Sequence, residues 1–132
     1  MSSFTDHTES LVLTWLLTTD SATRPTAWYV GLFTAAPSDT GGGTEVTGSG
    51  YVRKATGTMT VSGTSPTTAT NAAAIEFAAA SGGNWGTLTH AAIFDALTTG
   101  NMLAWAPLTT SRTINDGDVF RVPASSLTVT LT

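Results

Sequence analysis

The chain has 132 residues, of which 41% are hydrophobic and only 11% charged, and its formal net charge is −4. That length fits one domain spanning residues 1–132 with a core of its own, and the scarcity of charge leaves Thr, Ser and Gly to cover its surface. Among the five basic residues only Arg53 and Lys54 are adjacent, which excludes the clustered cations that nucleic-acid binding demands; the lack of cysteine excludes disulfides, thiolate metal sites and cysteine nucleophiles.

Residues 6–18 predict a helix. Asp6 stands as its cap, with Glu9 three residues later in capping-box spacing. Val12, Leu13, Trp15, Leu16 and Leu17 give it a broad apolar face. The run Leu11–Leu17 resembles the core of a secretory signal, but Asp6 and Glu9 precede it where a signal needs Lys or Arg. It is also too short to span a bilayer, so no membrane partner is expected. The expectation is a helix whose apolar face is buried on the rest of the domain. Asp20 to Pro25 ends it, with Arg24 pushed toward extended geometry by the proline that follows.

From Thr26 to Leu131 the pattern is β. In residues 26–34 Trp28, Val30 and Leu32 alternate with Tyr29 and Phe33, an apolar pattern on both faces that predicts a central strand covered on both sides, one cover being the helix. Further strands are predicted over residues 51–61, 72–77, 87–94, 101–108, 119–122 and 127–131. Pro107 lacks a donor and favours a strand end or an edge. In the last strand Leu127, Val129 and Leu131 point inward and Thr128, Thr130 and Thr132 outward. Asn115-Asp116-Gly117-Asp118 and Thr98-Thr99-Gly100-Asn101 read as turns, and Ser81-Gly82-Gly83-Asn84 as a flexible loop. About seven short strands at this spacing predict an all-β fold, a single β-sandwich or jelly-roll-like domain with one N-terminal α-helix. The expected core is Trp28, Val30, Leu32, Ile93, Phe94, Leu103, Val119, Leu127, Val129 and Leu131.

Residues 35–50 are rich in glycine and hold one aliphatic β-branched residue, Val46. A stretch this long is either a disordered surface loop or an arm that orders against a neighbour. The second reading makes Thr44, Glu45 and Val46 contacts, with Arg53 and Lys54 at the arm's exit to meet an acidic surface. The small-residue run Ala72–Ala80 would let another surface approach closely, or pack tightly inside.

Catalytic patterns do not emerge. His7 and His90 are the only histidines, and neither stands in a nucleophile context. His90 falls on the same strand face as Leu88, Ala92 and Phe94, which predicts a partly buried, hydrogen-bonded ring. Asp116 and Asp118 flank Gly117 without the further oxygen ligands of a calcium loop. Glu76 points away from the face of Ile75 and Phe77, and nothing pairs it with a second carboxylate across a sugar. The Gly41–Gly43 run lacks the lysine and the strand–helix setting of a phosphate loop. No enzymatic activity, cofactor or metal is therefore expected. Among the four tryptophans, Trp85 follows a glycine loop and is the candidate for exposed contact with a partner or a host surface glycan.

Three stretches resemble a family of small phage and prophage virion proteins often labelled tail-fibre proteins: WYVGLFTAAPSDTGGGTEVTGSGYVRKA (Trp28–Ala55), NWGTLTHAAIFDALTTGNMLAWAPLT (Asn84–Thr109) and SRTINDGDVFRVPASSLTVTL (Ser111–Leu131). The resemblance implies a virion location and a β-rich fold, and it implies no catalytic residue. With no shaft in the sequence, the leading expectation is a head-decoration or cement protein on the capsid lattice. The alternative is a tail-fibre or receptor-binding component facing the host. In either place a homo-oligomer is expected, with a trimer favoured by the symmetric sites of a virion, seated on capsid or tail proteins.

Overall fold

The computed structural model describes residues 3–131. Its one helix, α1, spans Asp6–Leu17. Everything else regular is antiparallel strand: β1 (Ser3–Phe4), β2 (Tyr29–Ala35), β3 (Thr44–Glu45), β4 (Lys54–Ala55), β5 (Met59–Ser62), β6 (Thr67–Asn71), β7 (Ile75–Glu76), β8 (Gly86–Phe94), β9 (Met102–Ile114), β10 (Arg121–Val122) and β11 (Thr128–Leu131). The fold is all-β with one helix, as the alternation predicts, but the described strands are more numerous and several are shorter than expected. They form three sheets: a six-stranded one in the order β1-β9-β8-β2-β3 with β4 also on β2, a pair β10-β7, and a three-stranded sheet β11-β6-β5.

β2 is the central strand. Val30 and Leu32 are fully buried on one face, where they join Leu88, Phe77, Trp85 and Phe120. Phe33 lies on the other face with Ala92, Phe94 and Met102. Both faces are thus covered, as the sequence predicts, but not by the helix. Segment 75–85 and Phe120 cover the first. On the second, Phe33 and Phe94 stack with centroids 6.1 Å apart, and the Arg53 guanidinium carbon sits 3.4 Å from the Phe94 centroid.

The helix corrects two expectations. Its cap is Thr5, not Asp6: the Thr5 side chain accepts from the Thr8 amide. The buried Thr5 hydroxyl donates to the Met102 carbonyl at 2.6 Å, and the Thr8 hydroxyl donates to the Leu103 carbonyl at 2.7 Å. Hydroxyls therefore pin the first turn to β9. The apolar side chains beyond it are not buried: Val12, Leu13, Leu16 and Leu17 are exposed, and Trp15 is 70% exposed.

β8 also departs from simple alternation. The β8–β9 register shifts between Leu88 and His90, and the bulge moves Leu88 and Ala91 to the first core, Ala92 and Phe94 to the second. His90 is half-buried and bonded to Thr89, as expected, but no longer shares the Leu88 face. β9 runs six residues past the predicted Leu108, to Ile114. Pro107 lies inside it, opposite His90 where the ladder breaks, and β1 reaches only Ala104 and Trp105, leaving Pro107 on an edge.

Val30, Leu32, Phe94 and Leu103 are buried as expected, while Trp28, Ile93, Leu127 and Val129 are half-buried. Val119 and Leu131 are exposed. Phe120 takes the core position beside Val119, and Leu131 ends β11, whose one neighbour among the described strands is β6. The expected outward position of Thr132 lies outside the described residues. At Asn115–Asp118 the expected turn closes with a hydrogen bond from the Asp118 amide to the Asn115 carbonyl. The turn at Thr98–Asn101 joins β8 to β9, with Thr99 and Gly100 both at positive φ.

Candidate docking surface

The residues expected to meet a partner do not form one surface. Thr44 and Lys54 are exposed, Val46 and Arg53 are buried, Glu45 is half-buried, and Trp85, expected to be exposed, is only 5% accessible. Trp85 packs edge-on against Tyr51 and Phe77, and its indole N–H donates to the Ser49 carbonyl at 3.0 Å. An aromatic beside a glycine loop looks exposed in sequence; here the loop folds back and the ring is core.

Residues 35–50 are not a free arm in this fold. Ser38 and Gly41 exchange backbone hydrogen bonds, and Pro37 is buried. Glu45 pairs with Phe33 in the sheet, and the Val46 amide bonds the Leu32 carbonyl. The Asp39 carboxylate accepts from the Trp105 indole at 3.0 Å, and its carbonyl accepts from the Asp6 amide.

Glu45 and Arg53 owe their burial to each other. Arg53 donates from Nε to Glu45 Oε2 at 2.8 Å and from its second terminal nitrogen to Oε1 at 2.9 Å. Its remaining terminal nitrogen donates to the carbonyls of Ala96 and Thr99. The Tyr51 hydroxyl donates to Glu45 Oε2 at 2.8 Å and accepts from the Leu32 amide at 2.9 Å. Burial pushes the Tyr51 phenol well above its ordinary value, the Leu32 amide opposes this, and the Glu45 charge adds to it. Gly31 makes room for the arrangement: a Cβ there would stand 2.8 Å from both Glu45 Oε2 and the Phe94 ring. A polar cleft of about 550 Å³ opens beside this network, but its arginine is spent on internal partners.

The unspent surface lies elsewhere. An open groove of about 710 Å³ runs where α1, the segment from Arg24 to Trp28 that leads into β2, and two of the sheets meet. Leu11, Trp28, Met59, Ile93 and Val129 line it, and Arg24 is the only charged group among the lining residues. A second cleft, about 450 Å³, shares Leu11, Arg24 and Pro25 with it and continues along the helix to Val12 and Trp15. Apolar helix and apolar groove are thus one continuous surface. The sequence reading named the apolar helix residues involved but assigned them to the interior, and it did not name Thr8, which also lines the groove. Among the described residues, no three His, Cys, Asp or Glu side chains come together as metal ligands, and no helix is long and apolar enough to cross a membrane.

The family model of the podophage GP4 fiber I protein gp80 matches residues 3–130. The chain belongs to that family. No curated protein matches it. The match covers the helix, the first two stretches of the resemblance and the third up to Thr130. It favours the fibre reading over the head-decoration reading, because the family is named for a fiber protein.

Proposed function

We propose that the chain is a non-enzymatic structural component of a bacteriophage tail fibre, carried on the virion. The observation that carries this reading is the match to the fiber-protein family from residue 3 to residue 130, nearly the whole chain. The arrangement of side chains supports it. Glu45 and Arg53 neutralise one another, Trp85 is packed inside, and the groove and helix side left open are apolar, which suits assembly better than bond cleavage. With Trp85 buried, the glycan-stacking role drawn for it from the sequence lacks its platform.

Separating purified virions into heads and tails tests the reading. The chain is expected in the tail fraction, detected by mass spectrometry. Recovery with the heads would return the protein to capsid decoration, and hydrolysis of host-surface glycan by the purified chain would remove the non-enzymatic part.

A further inference from the structure

Among the described residues, the apolar side chains of the distal half of α1 find little cover: Leu11 is half-buried, and Val12, Leu13, Trp15, Leu16 and Leu17 are exposed. Six of the seven residues from Leu11 to Leu17 are apolar, with Thr14 the exception, and at helical spacing they wrap most of the circumference. A segment this broadly apolar is normally surrounded, yet Leu13, Trp15, Leu16 and Leu17 are 56–72% exposed. The groove beside it is open as well. A projecting apolar helix and an unfilled apolar groove therefore lie side by side on one surface.

We infer that α1 of one copy seats in the groove of a second copy of this chain, and that this exchange holds a homo-oligomer together. Three observations select another copy as the occupant. The first is shape: a knob and a hole adjacent on one molecule become complementary when a symmetry axis passes between them, so that each copy both gives and receives a helix. The second is charge. The helix carries Asp6 and Glu9 in its first turn and no basic residue in its last, and Asp20 follows three residues beyond its end. The only charged side chain lining the groove is Arg24, which makes no ion pair among the described residues. Asp20, just beyond the helix end, is placed to meet Arg24 of the neighbour. The third is area. Soluble monomers rarely leave more than a few hundred Å² of contiguous apolar surface open, and one tryptophan supplies about 150–250 Å². Five large helix side chains plus the groove, each used reciprocally, approach the roughly 800 Å² per partner of a stable interface. The inference rests on this surface and stands apart from the fibre reading.

The chain has no cysteine, so single-cysteine variants report contacts cleanly. L16C and M59C, carrying different tags, are mixed and oxidised. Cross-links between the two variants are expected to dominate over links within either one. Light scattering should give a multiple of the 13.5 kDa chain mass for the native sequence and the single-chain mass for W15E/L16E. Because both positions are exposed, the double variant should keep the native circular dichroism spectrum, and its melting temperature should lose the concentration dependence that assembly gives the native chain. Dominant L16C–L16C links would replace the groove with a helix–helix contact and overturn the proposal. So would a native chain that is monomeric at high concentration, whether it stays free or adsorbs to phosphatidylethanolamine–phosphatidylglycerol vesicles. An oligomer that survives W15E/L16E would overturn it too.

Discussion

At the scale of single residues, the polar network around Glu45 shows what makes this small domain specific. A buried ion pair adds little net stability, but removing one partner is costly because the other is left behind. Gly31 is the position on which the geometry depends. Gly31→Ala is expected to cost about 1–3 kcal/mol, through overpacking against the Glu45 carboxylate and Phe94. Denaturant unfolding measures this, and an unchanged midpoint would mean that the carboxylate and ring can move aside freely. Tyr51 gives a second prediction. Its folded pKa is raised, chiefly by burial, whereas the unfolded chain releases the proton near pH 10. Above that pH the folded state holds the proton that the unfolded state has lost, so stability is full below about pH 10 and falls as pH rises. In Tyr51→Phe this alkaline slope should flatten, while stability at neutral pH drops by about 1–3 kcal/mol because the Leu32 amide loses its acceptor. A variant with the same slope would assign the alkaline loss to another group. None of this network was legible in the sequence. Glu45 and Arg53 read as free charges because their pairing joins segments eight residues apart through a loop whose path local pattern does not encode. Asn71 was missed for the same reason: it is fully buried, and its amide bonds the Ala73 and Pro123 carbonyls and the Leu127 amide.

At the scale of elements, periodicity located the helix to within one residue of its end, along with the two-faced strand β2 and the strand region of β8. It located them because each is long enough for side-chain period to emerge above noise. The strands it missed, β1, β3 and β6, are two to five residues long, and Thr67–Asn71 contains no large apolar residue at all. What periodicity could not say is which apolar faces find cover inside the chain. The helix is attached by two threonines rather than by its leucines, so its anchoring should be sensitive to hydroxyls and indifferent to apolar bulk. Thr5→Ala is expected to cost about 1 kcal/mol and to speed amide exchange across α1 while leaving β8 protected. Leu16→Ala, in a sample held monomeric, should stay within about 0.5 kcal/mol of native, whereas Leu88→Ala, fully buried, should cost about 2–5 kcal/mol. Comparable losses at Leu16 and Leu88 would place the helix face inside the fold after all.

At the scale of the whole molecule, the fold buries a polar network around Glu45 and Arg53 and leaves its greasiest segment, the distal half of α1, outward. That exposure is unfavourable for a solitary domain in water and reasonable for a part that is covered on assembly. It joins the family membership to the physical picture: a chain of the fiber I protein family with an exposed apolar helix beside an open apolar groove. The resemblance noted in three stretches of sequence pointed to the same family. The preference for capsid decoration came instead from length and the missing shaft, and those features do not separate a decoration protein from a short unit of a larger fibre. Placement on the phage tail is tested directly by gold-labelled antibody against the chain on intact virions. Gold confined to the tail is the predicted result; gold distributed over the capsid surface would contradict it.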